Sequence, residues 1–262
     1  MQNEIAAAAA HNFVVHASWA SRRISGALVD VGEELTLIDS GLDTDTFNIV
    51  CRARLSPASF GPAANRVIEH FVSVSRPFSW WVSPGDTPSN LGARLEACGL
   101  PPAEEELALS ARLDAIRAPG IPGLEIERVE TPEALADFAL INAENWVPPH
   151  PAVAAYYRRA APILLGEDSP QRFYLSRLEG APAGAVEITL AAGVAGIYNL
   201  STRAHARRRG VGAATLEAAL ADAGAQGVTT AVLQASVAGQ SLYRRLGFEE
   251  FGVITEHRLE DR

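Results

Sequence analysis

The residues best suited to chemistry are Arg207, Arg208, Arg209, Gly210, Val211, Gly212 and Ala213. Glycines at 210 and 212 remove side chains that would block close approach to the backbone, and the arginines add charge-assisted donors. The run stands between a predicted strand and a predicted helix, where N–H groups are unpaired and the helix terminus carries a favourable partial charge. Such a turn can hold phosphate. The dinucleotide fingerprint GxGxxG fails, because Thr215 takes the third glycine position, and the GK[ST] of a Walker loop is missing. A net charge of −9 and a pI near 5.2 give no overall positive field for a polyanion, so RRRG is not read as a nucleic-acid patch.

Other reactive side chains give weaker signals. None of the six histidines, His205 beside the arginines included, sits in an HExxH or nucleophile-elbow pattern, and none is assigned to catalysis or metal. Cys51 and Cys98 stand far apart without CxxC spacing, so neither a disulfide framework nor a zinc site is indicated and both thiols are expected to be buried. All 22 basic residues are arginine. The alanine run from Ala6 to Ala10 is too short for a membrane span and lacks the basic leader of a signal peptide, so a cytoplasmic protein is expected.

The elements that must position the loop can be read from periodicity and punctuation. AIRAPGIPG, from Ala115 to Gly123, is the strongest break near the middle and is taken as a linker over 115–123. A short strand follows from Leu124, then a helix capped by Thr131 with Pro132 at its first position. Residues 145–166, rich in proline and aromatics, are left as a loop. Three β-like runs come next, Arg172 to Leu178, Ala183 to Leu190 and Val194 to Thr202, then a helix from Ala213, a strand from Thr229, a helix from Ser241 and strand from Phe248. This order predicts an α/β fold with a mixed sheet flanked by helices.

Strand, RxxGxG at Arg207, Gly210 and Gly212, helix, strand, and then SVAGQSLYRRLGF from Ser236 to Phe248, resemble the GCN5-related N-acetyltransferase (GNAT) family, from Leu124 to Leu259. The resemblance implies acetyl-CoA as cofactor. It assigns the pyrophosphate to Arg207, Arg208, Arg209, Gly210, Val211, Gly212 and Ala213, and pantetheine contacts to Leu200 and Thr202 on the preceding strand, which splays from its neighbour in the family. Ser236 stands where family members often carry asparagine, and Gly239 where they carry alanine, which leaves a side-chain amide contact in doubt. Tyr243 matches the tyrosine that commonly protonates the leaving thiolate. Family members use a glutamate or a water chain as base, and Glu187 and Glu144 are the carboxylates available here, Glu187 being preferred. Trp146, Tyr156 and Tyr157 fall in the variable acceptor segment and are substrate candidates. The implied activity is acetyl transfer to an amine of a small molecule or a peptide; the alternative is a non-catalytic acyl-CoA-binding or sensor protein. No nucleic-acid, membrane or metal partner is expected.

An internal repeat extends this reading. FNIV at Phe47 to Val50 parallels YNLS at Tyr198 to Ser201, and Asn48 precedes Gly61 by the interval that separates Asn199 from Gly212. LEACGL from Leu95 parallels YRRLGF from Tyr243, and the pair suggests two related domains. Ser56, Ser59 and Leu95 fall where Arg207, Gly210 and Tyr243 stand, and Pro62 removes a donor after Gly61. Residues 1–114 are therefore expected to form a degenerate GNAT-like domain and residues 124–262 the catalytic one. Trp80 and Trp81 are candidates for packing against a neighbouring domain.

Overall fold

The structure, a computed structural model, describes residues 2–259. The chain forms two compact units: the residues up to Ala108 together with those from Phe251 onward, and Leu109–Glu250. The boundary thus lies ahead of the proline- and glycine-rich stretch at 115–123, and the final strand counts with the first unit.

The first unit contains α1 (Gln2–Ser18), β1 (Leu28–Val31), β2 (Thr36–Asp39), β3 (Ile49–Cys51), α2 (Phe60–Ser73), β4 (Ser79–Val82), α3 (Leu91–Ala97) and most of β5 (Pro102–Arg112). β1, β2 and β3 pair antiparallel in succession, and β3 pairs parallel with β4 at Ile49↔Ser79 and Val50↔Trp80. Helix α2 forms because Phe60, Ala63, Ala64, Val67 and Phe71 recur at helical spacing, which gives it one apolar face to bury. Phe71 stacks on Phe78 at 4.5 Å, and Trp80 and Leu95 are wholly buried beside them. Trp80 is therefore a core residue, whereas Trp81 is half-buried and packs edge-on against Phe13.

The second unit contains β6 (Leu124–Arg128), α4 (Pro132–Ala143), α5 (Pro151–Leu164), β7 (Gln171–Leu178), β8 (Ala181–Ala191), β9 (Val194–Thr202), α6 (Val211–Ala225), β10 (Thr230–Ala235) and α7 (Gln240–Arg245). The strand order is β10-β9-β8-β7-β6, antiparallel throughout except that β10 runs parallel to β9. Thr131 caps α4 through its hydroxyl, which accepts from Ala134 N–H at 3.2 Å, with Pro132 in the first turn. The stretch expected as loop folds instead into α5. Pro151 occupies the first turn, where no N–H is needed, and the His150 ring caps the end by accepting from Ala152 N–H.

The strand after α7, β11 (Glu249–Arg258), pairs antiparallel with β4 at Thr255↔Val82 to Arg258↔Ser79 and completes the first unit in the order β1-β2-β3-β4-β11-β5. Each unit is thus a mixed, mostly antiparallel sheet flanked by helices, as the sequence predicts. Cys51 is buried, and burial pushes its thiol pKa up; Cys98, expected inside, is exposed at the C-terminal end of α3. Among the described residues no helix is long and apolar enough to cross a membrane.

Candidate active site

The glycine loop joins β9 to α6 in the second unit. Arg208 and Gly210 are both left-handed, with φ of 59° and 84°, a backbone pattern that turns successive N–H groups toward one concavity. Gly210 is the N-cap of α6 and has no side chain to satisfy the first-turn N–H groups, so these stay available to an anion. The two glycines serve different needs. At Gly210 the left-handed backbone demands it, while a Cβ on Gly212 would stand 3.0 Å from the Thr202 hydroxyl and 4.0 Å from Leu242 of α7. Arg208 and Arg209 are exposed beside the turn, and Arg207 folds back so that its Nε donates to the Thr202 carbonyl at 2.9 Å. Gly184, unremarked in the sequence, seats the loop: a Cβ there would meet Ser176 Oγ at 2.7 Å and Val211 at 3.2 Å.

Leu200 and Thr202 lie on an open strand edge. β9 registers with β10 only at Ala195↔Ala231, Gly196↔Val232 and Ile197↔Leu233, and beyond Ile197 it runs on to Thr202 paired only with β8. A bulge opposite Val186 accommodates Asn199 and Leu200, with Asn199 left-handed at φ 55°. Ser236 is exposed just beyond β10, and Tyr243 on α7 is 8% exposed, edge-on to Phe248 at 5.6 Å. A Cβ at Gly239 would stand 3.0 Å from the Tyr243 ring. The Leu242 contact brings α7 up to the glycine loop, so Tyr243, Gly212 and Thr202 belong to one neighbourhood.

A second group gathers on the side of the sheet covered by α4 and α5. Glu187 on β8 is wholly buried, and its Oε1 accepts from Gln171 Nε2 at 2.7 Å and Thr189 Oγ1 at 2.9 Å. Its Oε2 accepts from Asn199 Nδ2 at 3.1 Å, and the same Nδ2 donates to Tyr157 Oη at 3.0 Å. Tyr156 and Tyr157 are buried, and burial together with the Glu187 charge drives the Tyr157 pKa well above the usual phenol range. Tyr157 packs α5 onto α4 and β7 through Phe138 and Phe173, with Tyr156 edge-on to it, whereas Trp146 is 41% exposed. Asn145 donates to Ser201 Oγ on β9 at 2.8 Å, and Ser201 donates in turn to Asn142 at 2.9 Å, which fastens the Trp146 loop to the open edge. Glu144, the other candidate base, is held by Arg203 in a two-pronged ion pair at 2.8 and 3.0 Å. His205 is exposed in the turn before the arginines.

The matching positions in the first unit are closed. Ile49 and Val50, which correspond to Leu200 and Ser201, are hydrogen-bonded to β4, and the pairing resumes where Thr87 N–H donates to Ala53 O at 3.1 Å and Leu55 N–H donates to Thr87 O at 3.2 Å. Ahead of α2, Ser56 and Ser59 bond each other: Ser56 N–H donates to Ser59 Oγ and Ser59 N–H to Ser56 Oγ, both at 3.0 Å. Serine, not a left-handed glycine, stands at the N-cap of α2, where Ser59 has φ −83°.

Comparison with known proteins agrees with this geometry. Residues 135–248 match the model of the acetyltransferase (GNAT) family. Among solved structures, a GCN5-related N-acetyltransferase from Kribbella flavida superposes with a TM-score of 0.74 at 19% identity, covering 97% of this chain and 96% of the other. A tandem GNAT protein from the clavulanic acid biosynthesis pathway gives 0.61 at 16% identity over 91% and 85%, and a GCN5-related N-acetyltransferase from Sphaerobacter thermophilus gives 0.60 at 18% over 87% and 81%. No curated protein matches the sequence.

Proposed function

From the premise that residues 135–248 form a domain of the GNAT acetyltransferase family, we propose that the protein transfers an acetyl group from acetyl-CoA to an amine of a small molecule or a peptide. The observation that carries this reading is the uncapped, left-handed turn at Arg208–Gly210 beside a strand edge that β10 leaves unpaired. Residues 207–213 fit a pyrophosphate, with backbone N–H groups in the concavity and Arg208 and Arg209 at its rim. Leu200 and Thr202 offer backbone groups along the open edge, with Ser236 across from them on the other side of the splay.

Coenzyme A supplies the activated acetyl group and the thiol that leaves. The amine nitrogen forms a bond to the acetyl carbon as the carbon–sulfur bond breaks. Tyr243 gives its hydroxyl proton to the sulfur, the surplus proton on nitrogen passes to water, and Tyr243 is reprotonated from solvent. Residues 1–114 serve as a degenerate GNAT-like domain and those from 124 onward carry the chemistry. The test is thiol release from acetyl-CoA across a library of amines, with products read by mass. Acetyl-CoA binding without turnover on any amine would turn the reading to a sensor, and no binding would end it.

A further inference from the structure

The internal repeat places one asparagine at the same point of both units, and the two side chains are used differently. Asn48 is wholly buried and saturated: its Nδ2 donates to Leu42 O and Pro77 O, both at 2.9 Å, and its Oδ1 accepts from Ser40 N–H at 2.9 Å and Ser40 Oγ at 2.8 Å. Asn199 is exposed, and both protons of its Nδ2 are spent inward on Glu187 and Tyr157. Its Oδ1 accepts from none of the described residues. A carboxylate only accepts, so Glu187 admits the NH₂ end of the Asn199 amide and excludes the oxygen. The carbonyl end is thereby fixed outward, two residues past the last β9–β10 pair at Ile197.

We propose that Asn199 binds the acceptor, its Oδ1 taking a hydrogen bond from the N–H of the attacking amine, and that Glu187 is a positioning residue acting through Asn199. The proposal rests on the acetyl-transfer reading above. It alters the part given to Glu187 by the sequence: a base must meet the amine, and Glu187, with no exposed surface, lies behind an exposed Asn199. Gln171, Thr189 and Asn199 are neutral donors to this carboxylate and offset the cost of burying it, so that it can orient an amide. The amine is held by a fixed dipole and loses its proton to water. A group with at least one N–H left after aligning its lone pair on the acetyl carbon fits such an acceptor.

Asn199→Gly is the cleanest test, because glycine suits the φ of 55° and removes the amide without disturbing the bulge. With the best amine from the thiol-release screen, KM for the amine should rise about 10- to 100-fold, the worth of a hydrogen bond to a charged or polarised group. The dissociation constant for acetyl-CoA should stay within about twofold, while the thermal midpoint should fall by a few degrees, because the buried Glu187 loses one donor. Glu187→Gln should raise KM for the amine while keeping kcat at saturation and its pH profile. An unchanged KM in folded Asn199→Gly overturns the proposal. So does a Glu187→Gln enzyme that folds but loses kcat about 100-fold together with one limb of the pH profile, since that is how a direct base behaves. A parent protein that neither binds acetyl-CoA nor releases thiol fails at the earlier step and strikes the acetyl-transfer reading itself.

Discussion

Replacing Tyr243 with phenylalanine isolates one hydroxyl. The ring's contacts, edge-on to Phe248 at 5.6 Å and against the Gly239 backbone, involve carbon atoms that phenylalanine keeps. A hydroxyl that serves only the folded state is worth about 1 to 3 kcal/mol when its partner is left unsatisfied, or roughly 2 to 12 °C in melting temperature for a domain of this size. A hydroxyl that protonates the leaving sulfur is worth about 10²- to 10⁴-fold in kcat, about 3 to 5 kcal/mol placed on the transition state alone. The two outcomes separate in one experiment: steady-state kcat and KM for acetyl-CoA, with a melting curve on the same preparation. We expect a fall in kcat of at least 100-fold with little change in KM or melting temperature. The deficit should shrink with acyl donors whose thiols are more acidic, because such sulfurs need less help in leaving. Turnover within about threefold of the parent enzyme, or a deficit indifferent to the thiol, would refute the role of Tyr243 and point to bound water.

Titration calorimetry should find one acetyl-CoA per chain, since β3 and β4 are hydrogen-bonded where β9 and β10 part; two equivalent sites would contradict the closed first unit. Gly210→Val forces a β-branched residue into a left-handed conformation and should weaken acetyl-CoA binding about 10- to 100-fold, while Gly26→Val, equally left-handed but in open space, should leave the dissociation constant unchanged. Asp86 is buried and burial pushes its carboxyl pKa up to about 6, so the folded state holds a proton that the unfolded chain releases near pH 4. That contribution is full below pH 4 and is lost as the pH rises through 6, so denaturant stability should fall from pH 5 to 7.5 and Asp86→Asn should flatten the slope, by a few kcal/mol at most; an unaltered slope would show that Asp86 is not the group.

Much of the second unit was legible because its signals are local. The strand run at 194–202 and the turn around Gly210 are written in β-branched spacing and glycine placement, and Thr131–Pro132 announces its helix in two residues. Helix α5 was hidden by the same kind of signal: four prolines from 148 to 162 read as breaks, although Pro151 sits in the first turn, where no N–H is needed, and Pro162 is carried within the helix near its end. In the site, the phosphate turn could be seen and the acceptor side could not. Tyr157 looked like a substrate contact but packs into the core, and the burial of Glu187 depends on pairings among β7, β8 and β9 that spacing alone does not reveal. Asn199 was visible only as a marker of the repeat; its left-handed bulge arises from register, which is a tertiary property.

The place of β11 bears on how the chain acquires its structure. This strand lies between β4 and β5 in the first unit, yet the whole of the second unit up to Phe248 precedes it in the chain. The first unit cannot therefore close its sheet during synthesis until the second has been made. In the interval β4 and β5 present unpaired edges, the kind of surface that recruits strands from other chains. Long-range pairing of this sort is slow to form, so refolding should be limited by the arrival of β11 and should aggregate at high concentration. Severing the chain at 123/124 would leave the early piece without an interior strand, and would leave the late piece carrying that strand away from β4 and β5, its neighbours in the intact sheet.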